Sequence, residues 1–307
     1  MTRLTTRTFS RLLGLTAAAL VLTGCSAASE PTSERTATQT TTESPASAQV
    51  ADRLAALEEQ HDVTIGVSAV DAQGRLLEYR ADDRFGYAST VKVFAAATLL
   101  AEKTPQERAK SVRWTQADID AAGYSPVTSA HLERRLTLDE LAEGAVRDSD
   151  NTAMNLVLRS VGGAEAVEKF LRTLGDDRTQ LDSYEPDLNT VTPGKPANTT
   201  TPAAFRAALR VVLEKNALEP QERRTLLDWM SGNSTGDALI RAGLPAEWKV
   251  ADKSGGSGGM RNDIGVVTGP GGQTVYLAVF TSTNDPEAEY DDVVVAEAAR
   301  AVLAEYS

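Results

Sequence analysis

Val63, Ile65, Val67 and Ala69 alternate with Thr64, Gly66 and Ser68, a period of two that predicts a strand with one face in a core. Asp71-Ala72-Gln73-Gly74 is turn chemistry and Leu76 to Arg80 returns, so the stretch reads as a hairpin. Upstream, Gln49 to Gln60 carries Val50, Leu54 and Leu57 at helical spacing. From Ser89 to Met230 the apolar spacing is mostly helical, its longest interruption running from Asp182 to Pro202. Strand patterns resume at Trp248 to Asp252, Ile264 to Thr268 and Thr274 to Thr281, and an amphipathic helix is predicted from Pro286 to Tyr306. Two strands, a helical insertion and three more strands define an α+β fold. Its sheet is expected to be five-stranded and antiparallel, with the terminal helices on one face. An α/β lobe (50–83 and 232–307) and an all-helical lobe (84–231) would leave a cleft between them for chemistry.

The N-terminus is organised differently. Arg3, Arg7 and Arg11 precede a mostly apolar run, Leu12 to Gly24, too short for a membrane span. Residues 1–24 read as a secretory signal. The junction Leu22-Thr23-Gly24-Cys25 resembles a bacterial lipoprotein processing site, with Cys25 as the lipidated residue. Residues 25–49, rich in Ser, Thr, Ala and Pro, read as a flexible tether ahead of the domain at 50–307. The expected product is exported and lipid-anchored on the outer face of the cytoplasmic membrane or periplasmic, or released as a soluble form. Cys25 is the only cysteine, so no intrachain disulfide can form. The net charge of −12 becomes −15 once the three leader arginines are removed with no acid lost. Such an acidic chain excludes nucleic acid as a partner, and leaves the lipid on Cys25 as the only route to a membrane.

Lys92 is out of place by pattern: it stands at the head of the apolar run Val93 to Ala101. Ser89 lies three residues before it, on the same helical face. A serine becomes nucleophilic when a neighbouring base takes its proton, and a poorly solvated lysine has a lowered pKa. The pair alone is equally consistent with a lysine reaching solvent from a helix edge. Ser149-Asp150-Asn151 lies between two helical segments and supplies a hydroxyl and a carboxamide, or simply an N-cap. Lys253-Ser254-Gly255 ends a predicted strand and runs into Gly256-Ser257-Gly258-Gly259, which is either linker or a place where substrate backbone approaches a strand edge. His61 and His131 have no flanking ligand pattern and read as structural.

Ser-x-x-Lys, Ser-Asp-Asn and Lys-Ser-Gly, in that order, resemble the motif set of the penicillin-recognising serine enzymes, and most closely the class A β-lactamases. Glu185-Pro186-Asp187-Leu188-Asn189 resembles that family's Glu-x-x-Leu-Asn element, and Tyr124-Ser125-Pro126-Val127-Thr128 its cleft-rim segment. The resemblance implies a two-lobed β-lactamase/transpeptidase-like fold, β-lactam substrates, no metal or organic cofactor, and a monomer. It further implies that Ser89 attacks the lactam carbonyl and that Lys92, or Glu185 through a water, takes its proton. Backbone N–H groups of Ser89 and Gly256 would form the oxyanion hole, and Ser149 would protonate the leaving nitrogen. Asn151 would hold Lys92 and the substrate's side-chain amide. Lys253, Ser254 and Arg261 would receive the substrate carboxylate, with Arg241 as the alternative arginine, and Gly255 would belong to the substrate-binding strand edge. Tyr124 would stack on substrate, and Glu185 with Asn189 would position the deacylating water.

The chain departs from the family at the base of the Glu185 loop, where an Arg–Asp pair is usual and Ser183 and Asn198 stand instead. A neutral hydrogen bond is the expected replacement, and a more mobile loop the expected consequence. The rival readings are a D-alanyl-D-alanine carboxypeptidase or transpeptidase, and a penicillin sensor that acylates once. The Glu185–Asn189 element argues against the first and disfavours the second, which the altered loop base keeps open.

Overall fold

Every second residue of the strand Thr274–Thr283 faces a different core. Val275, Leu277 and Val279 pack on one side of the sheet, and Tyr276, Ala278 and Phe280 on the other. A strand buried on both faces has to be central, and this one is. The computed structural model describes residues 45–283, 285 and 288–307. The expected signal peptide, Cys25 and the tether up to residue 44 lie outside the described residues.

In chain order the main elements are α1 (Pro45–His61), β1 (Val63–Asp71), β2 (Leu76–Tyr79), α2 (Lys92–Glu102), α3 (Leu138–Arg147), α4 (Asn151–Val161) and α5 (Ala164–Thr173). There follow α6 (Pro202–Glu214), α7 (Pro220–Ser231), β3 (Lys249–Ser257), β4 (Met260–Thr268), β5 (Thr274–Thr283) and α8 (Asp292–Leu303). The sheet order is β2-β1-β5-β4-β3, antiparallel throughout. Helices α1 and α8 cover the face bearing Ile65, Val67 and Leu277, and the helical lobe packs on the other. The architecture is α+β, as the periodicity and the resemblance imply.

Several boundaries differ from the sequence expectation. Helix α1 begins at Pro45, so residues 45–49 are helical instead of tether. Helix α8 begins only at Asp292, where the Asp291 side chain accepts from Val293 N and caps it. Strands β3 and β4 are longer than their apolar patterns: the glycines after Lys253 stay paired with β4, with Gly255 opposite Asn262 and Gly256 opposite Arg261. That stretch is strand, and the turn is confined to Gly258 and Gly259, where Gly258 has φ +52°. The segment opening on Ser89 is a 3-10 turn, Ala88–Val91, and the α-helix starts at Lys92. A 3-10 turn eclipses i and i+3, so the tighter geometry still keeps residues 89 and 92 on one side.

Phe205 on α6 joins the layers. Its ring lies 4.6 Å from that of Phe94 on α2, 5.9 Å from Phe280 on β5 and 6.0 Å from Tyr87 just before the turn. All four rings are buried, and aromatic pairs at these separations stabilise beyond their area. Phe205 therefore supports the turn that carries Ser89. Phe205→Ala is expected to lower stability by about 4 kcal/mol, measured by urea denaturation, with Phe205→Leu losing less than half of that.

Candidate active site

Lys92 and Lys253 are both fully buried, against the ordinary preference of ammonium groups for water. Lys92 is compensated on several sides. Its Nζ donates to Ser149 O at 2.7 Å and Asn151 Oδ1 at 2.5 Å, lies 3.4 Å from Ser149 Oγ, and pairs with Glu185 Oε1 at 2.9 Å. Burial pushes its pKa below the usual lysine range, and the Glu185 carboxylate opposes that shift. The Ser149 carbonyl reaches Lys92 because Ser149 adopts a left-handed φ of +58°, unusual for a serine. Asp150 supplies the N-cap of α4, accepting from Ala153 N at 2.7 Å and from Thr128 N at 2.8 Å. Asp150 is thus the capping residue, while Ser149 and Asn151 face the Lys92 site.

Lys253 sits on the edge strand β3, its Nζ donating to Ser254 O at 2.7 Å and to Ser149 Oγ at 3.3 Å. Ser149 therefore stands between two ammonium groups. Burial, reinforced by repulsion from Lys92, pushes the Lys253 pKa down to about 7. Below it, Asp252 accepts from Asn233 Nδ2 at 2.5 Å and from Arg241 Nη2 at 2.9 Å. Asp263 on β4 is fully buried, and its pKa rises well above the carboxylate range through burial and the nearby Asp252. Arg241 belongs to this support and lines a separate cavity with Trp248, so it is not the cleft arginine.

The Glu185 loop is tied down by amides. Asn155, one turn along α4 from Asn151, brackets the Glu185 backbone, donating to its carbonyl and accepting from its N–H, both at 2.9 Å. Asn189 Nδ2 donates to Glu185 Oε2 at 2.7 Å, and Asn189 Oδ1 is buried with no hydrogen-bond donor. That oxygen is an acceptor available to a water beside the carboxylate. At the loop base, Asn198 Nδ2 donates to Ser183 Oγ, Asp187 O and Thr190 O at 3.2 to 3.3 Å. Its Oδ1 accepts from Tyr87 OH at 3.2 Å and Asp182 N at 3.3 Å. One neutral amide closes the loop where the family uses a charged pair.

These elements surround a cleft of about 550 Å³ lined by Ser89, Tyr124, Ser149, Asn151, Asn189, Ser254, Gly255, Gly256 and Arg261. Lys92 and Glu185 are buried directly behind its lining. A Cβ on Gly255 would lie 3.0 Å from the backbone nitrogens of Ser89 and Thr90, so only glycine lets β3 approach the Ser89 turn this closely. Arg261 enters from β4, its Nε held by Asp292 at 2.5 Å. Apart from the alternative arginine, Arg241, every sequence-assigned site residue among the described ones therefore lies in the cleft or directly behind it. Sequence reasoning missed Thr235, whose Oγ1 is 2.6 Å from Ser254 Oγ, and Tyr290, which lines the cleft beside Arg261. It also missed Asn155, for which spacing from Asn151 was the available signal. His61 pairs with Asp291 and His131 with Val127 O, and neither histidine lines the cleft. No cluster of potential metal ligands occurs among the described residues.

Comparison with known proteins agrees with this geometry. The model of the Beta-lactamase enzyme family matches residues 49–306. A β-lactamase of Bacillus licheniformis is 39% identical over 96% of both chains, and one of Bacillus amyloliquefaciens is 43% identical over 80% of this chain and 81% of its own. The crystal structure of a class A β-lactamase from Clostridium kluyveri superposes with a TM-score of 0.81 at 36% identity, covering 84% of this chain and 99% of that one. The fold and site define a serine hydrolase of two lobes. The chain belongs to the β-lactamase family.

Asn198→Ala removes an amide whose two N–H groups share three acceptors and whose oxygen accepts twice, and it strains a left-handed residue at φ +56°. It is expected to destabilise the fold by about 2 to 3 kcal/mol and to speed hydrogen exchange across 182–198. Asn198→Gly, freed of the backbone strain, should lose less.

Proposed function

We propose that this class A β-lactamase hydrolyses β-lactams through an acyl-enzyme on Ser89, freed by a water that Glu185 activates. The observation that carries the reading is the buried Lys92, held by Asn151, Ser149 and Glu185 directly behind the serine cleft. Ser89 Oγ bonds to the lactam carbonyl carbon, and its proton passes to the buried Lys92–Glu185 pair, whose charged groups lie 2.9 Å apart. Backbone N–H groups of Ser89 and Gly256 receive the developing oxyanion. As the oxyanion collapses back to a carbonyl and the lactam C–N bond breaks, Ser149, lying between the two ammonium groups, delivers its proton to nitrogen and takes back from Lys92 the proton that Ser89 gave up. Lys253, Ser254 and Arg261 receive the substrate carboxylate by charge-assisted hydrogen bonds. Tyr124 bounds the entrance, and Asn151 meets the side-chain amide. In the second half, water adds to the acyl carbon and its proton goes to Glu185; as the bond to Ser89 Oγ breaks, the Lys92–Glu185 pair returns that proton to Ser89. The Asn189–Glu185 hydrogen bond supports turnover over a carboxypeptidase or a one-shot sensor.

Mass spectrometry after mixing with benzylpenicillin tests this. The unaltered enzyme should return hydrolysed drug and unmodified protein. Glu185→Ala should retain a stable adduct on Ser89, with deacylation slowed by about 10²- to 10⁴-fold; unchanged turnover in that variant would refute the role. The Lys253 charge carries a signed pH dependence. The ammonium is present below its lowered pKa and lost as pH rises through about 7. kcat/KM for carboxylate-bearing substrates, which reports the free enzyme, should therefore fall on an alkaline limb well below the ordinary lysine range. In Lys253→Arg that limb should move upward, because a guanidinium stays charged.

A further inference from the structure

The wall of the cleft around Arg261 contains an aromatic ring that the hydrolytic mechanism does not use. Tyr290 precedes α8, lines the cleft with Ser89 and Gly256, and is 42% exposed. It is held in place by its neighbours. The Arg261 guanidinium lies 4.8 Å from its ring centroid, a cation–π contact. A Cβ on Gly256 would lie 3.2 Å from Tyr290 Cε1 and 3.0 Å from Arg261 Nη1, so the ring edge, the arginine and the strand meet at one point. Asp292, two residues on, fixes Arg261 Nε. Tyr124, 59% exposed, stands on the rim contributed by the helical lobe. Two aromatic rings, one from each lobe, thus bound the cleft.

We propose that the uncovered side of Tyr290 is a binding subsite for a flat aromatic or heteroaromatic substituent carried next to the substrate carboxylate. This subsite rests on the reading of the site given above and follows from position. Arg261 receives the carboxylate, Tyr290 stacks on Arg261, and whatever the substrate carries beside its carboxylate meets this ring. On a cephalosporin that place is the carbon adjacent to the carboxylate-bearing one. An aromatic pair contributes roughly two- to tenfold in affinity, and does so equally in ground and transition states, so the effect belongs in KM.

The test compares two cephalosporins with the same acyl side chain, one with a pyridinium-type ring at that carbon and one with a methyl group. The readout is the ratio of their kcat/KM values in the unaltered enzyme, Tyr290→Phe and Tyr290→Ala. Tyr290→Phe should keep the ratio. Tyr290→Ala should lower it about fivefold, through a raised KM for the ring-bearing substrate. Circular dichroism melting identifies a misfolded variant, in which case Tyr290→Leu replaces it with the same expectation. A Tyr290→Ala ratio within twofold of the unaltered one, or an equal loss for both substrates, overturns the subsite while leaving hydrolysis intact. An unaltered enzyme that is acylated by both drugs and releases neither refutes the reading of the site itself, and the subsite falls with it.

Discussion

An ammonium group with no exposed surface has to be paid back by its surroundings, and Lys92 organises this protein for that reason. Removing one partner of a buried ion pair typically destabilises by about 3 to 5 kcal/mol, because the remaining charge has no solvent. The partners of Lys92 come from separate parts of the chain. Ser149 and Asn151 come from the α3–α4 junction, and Glu185 from a long loop beyond α5. Folding of the helical lobe and assembly of the reactive centre are therefore one process. The left-handed backbone at Ser149 and the amide brackets of Asn155 and Asn198 are the local distortions that this requirement imposes.

The same logic extends across the cleft. Strand β3 is an edge strand, and glycine at 255 lets it close on the Ser89 turn. Lys253 arrives there as a second buried cation, supported beneath by Asp252, Asn233 and Arg241. Burial and the neighbouring Lys92 lower the affinity of Lys253 for a proton, and an arriving carboxylate opposes that. Ser149 Oγ lies between the two amines, so a negative charge arriving at Lys253 also changes the field at that hydroxyl.

Much of this was legible in the order of residues. The alternation of Val63 to Ala69 and the run Thr274 to Thr281 marked the sheet, and the misplaced Lys92 marked the site. Motif resemblance then brought Ser149, Glu185 and Lys253 together across separations that periodicity cannot bridge. What stayed hidden was tertiary in origin. Glycines 255 and 256 look like linker by propensity, yet pairing with β4 keeps them extended. The amphipathic pattern before Asp292 overran the helix, because the Asp291 cap sets its start. Tyr290 lies outside every motif, and only the packing of β4 against the segment before α8 brings it beside Arg261. Asn198 showed as a missing charge, with nothing local to announce the five partners of its amide.

The titration of Lys92 itself is the most direct probe. In protein carrying lysine labelled with carbon-13 at the ε position, the resonance absent from Lys92→Arg reports that amine across pH. Burial places its midpoint below the ordinary value of 10.5, and Glu185→Gln, by removing the opposing carboxylate, lowers it further. A midpoint at or above 10.5, or one that Glu185→Gln leaves unmoved, would contradict the buried pair as the centre of this structure.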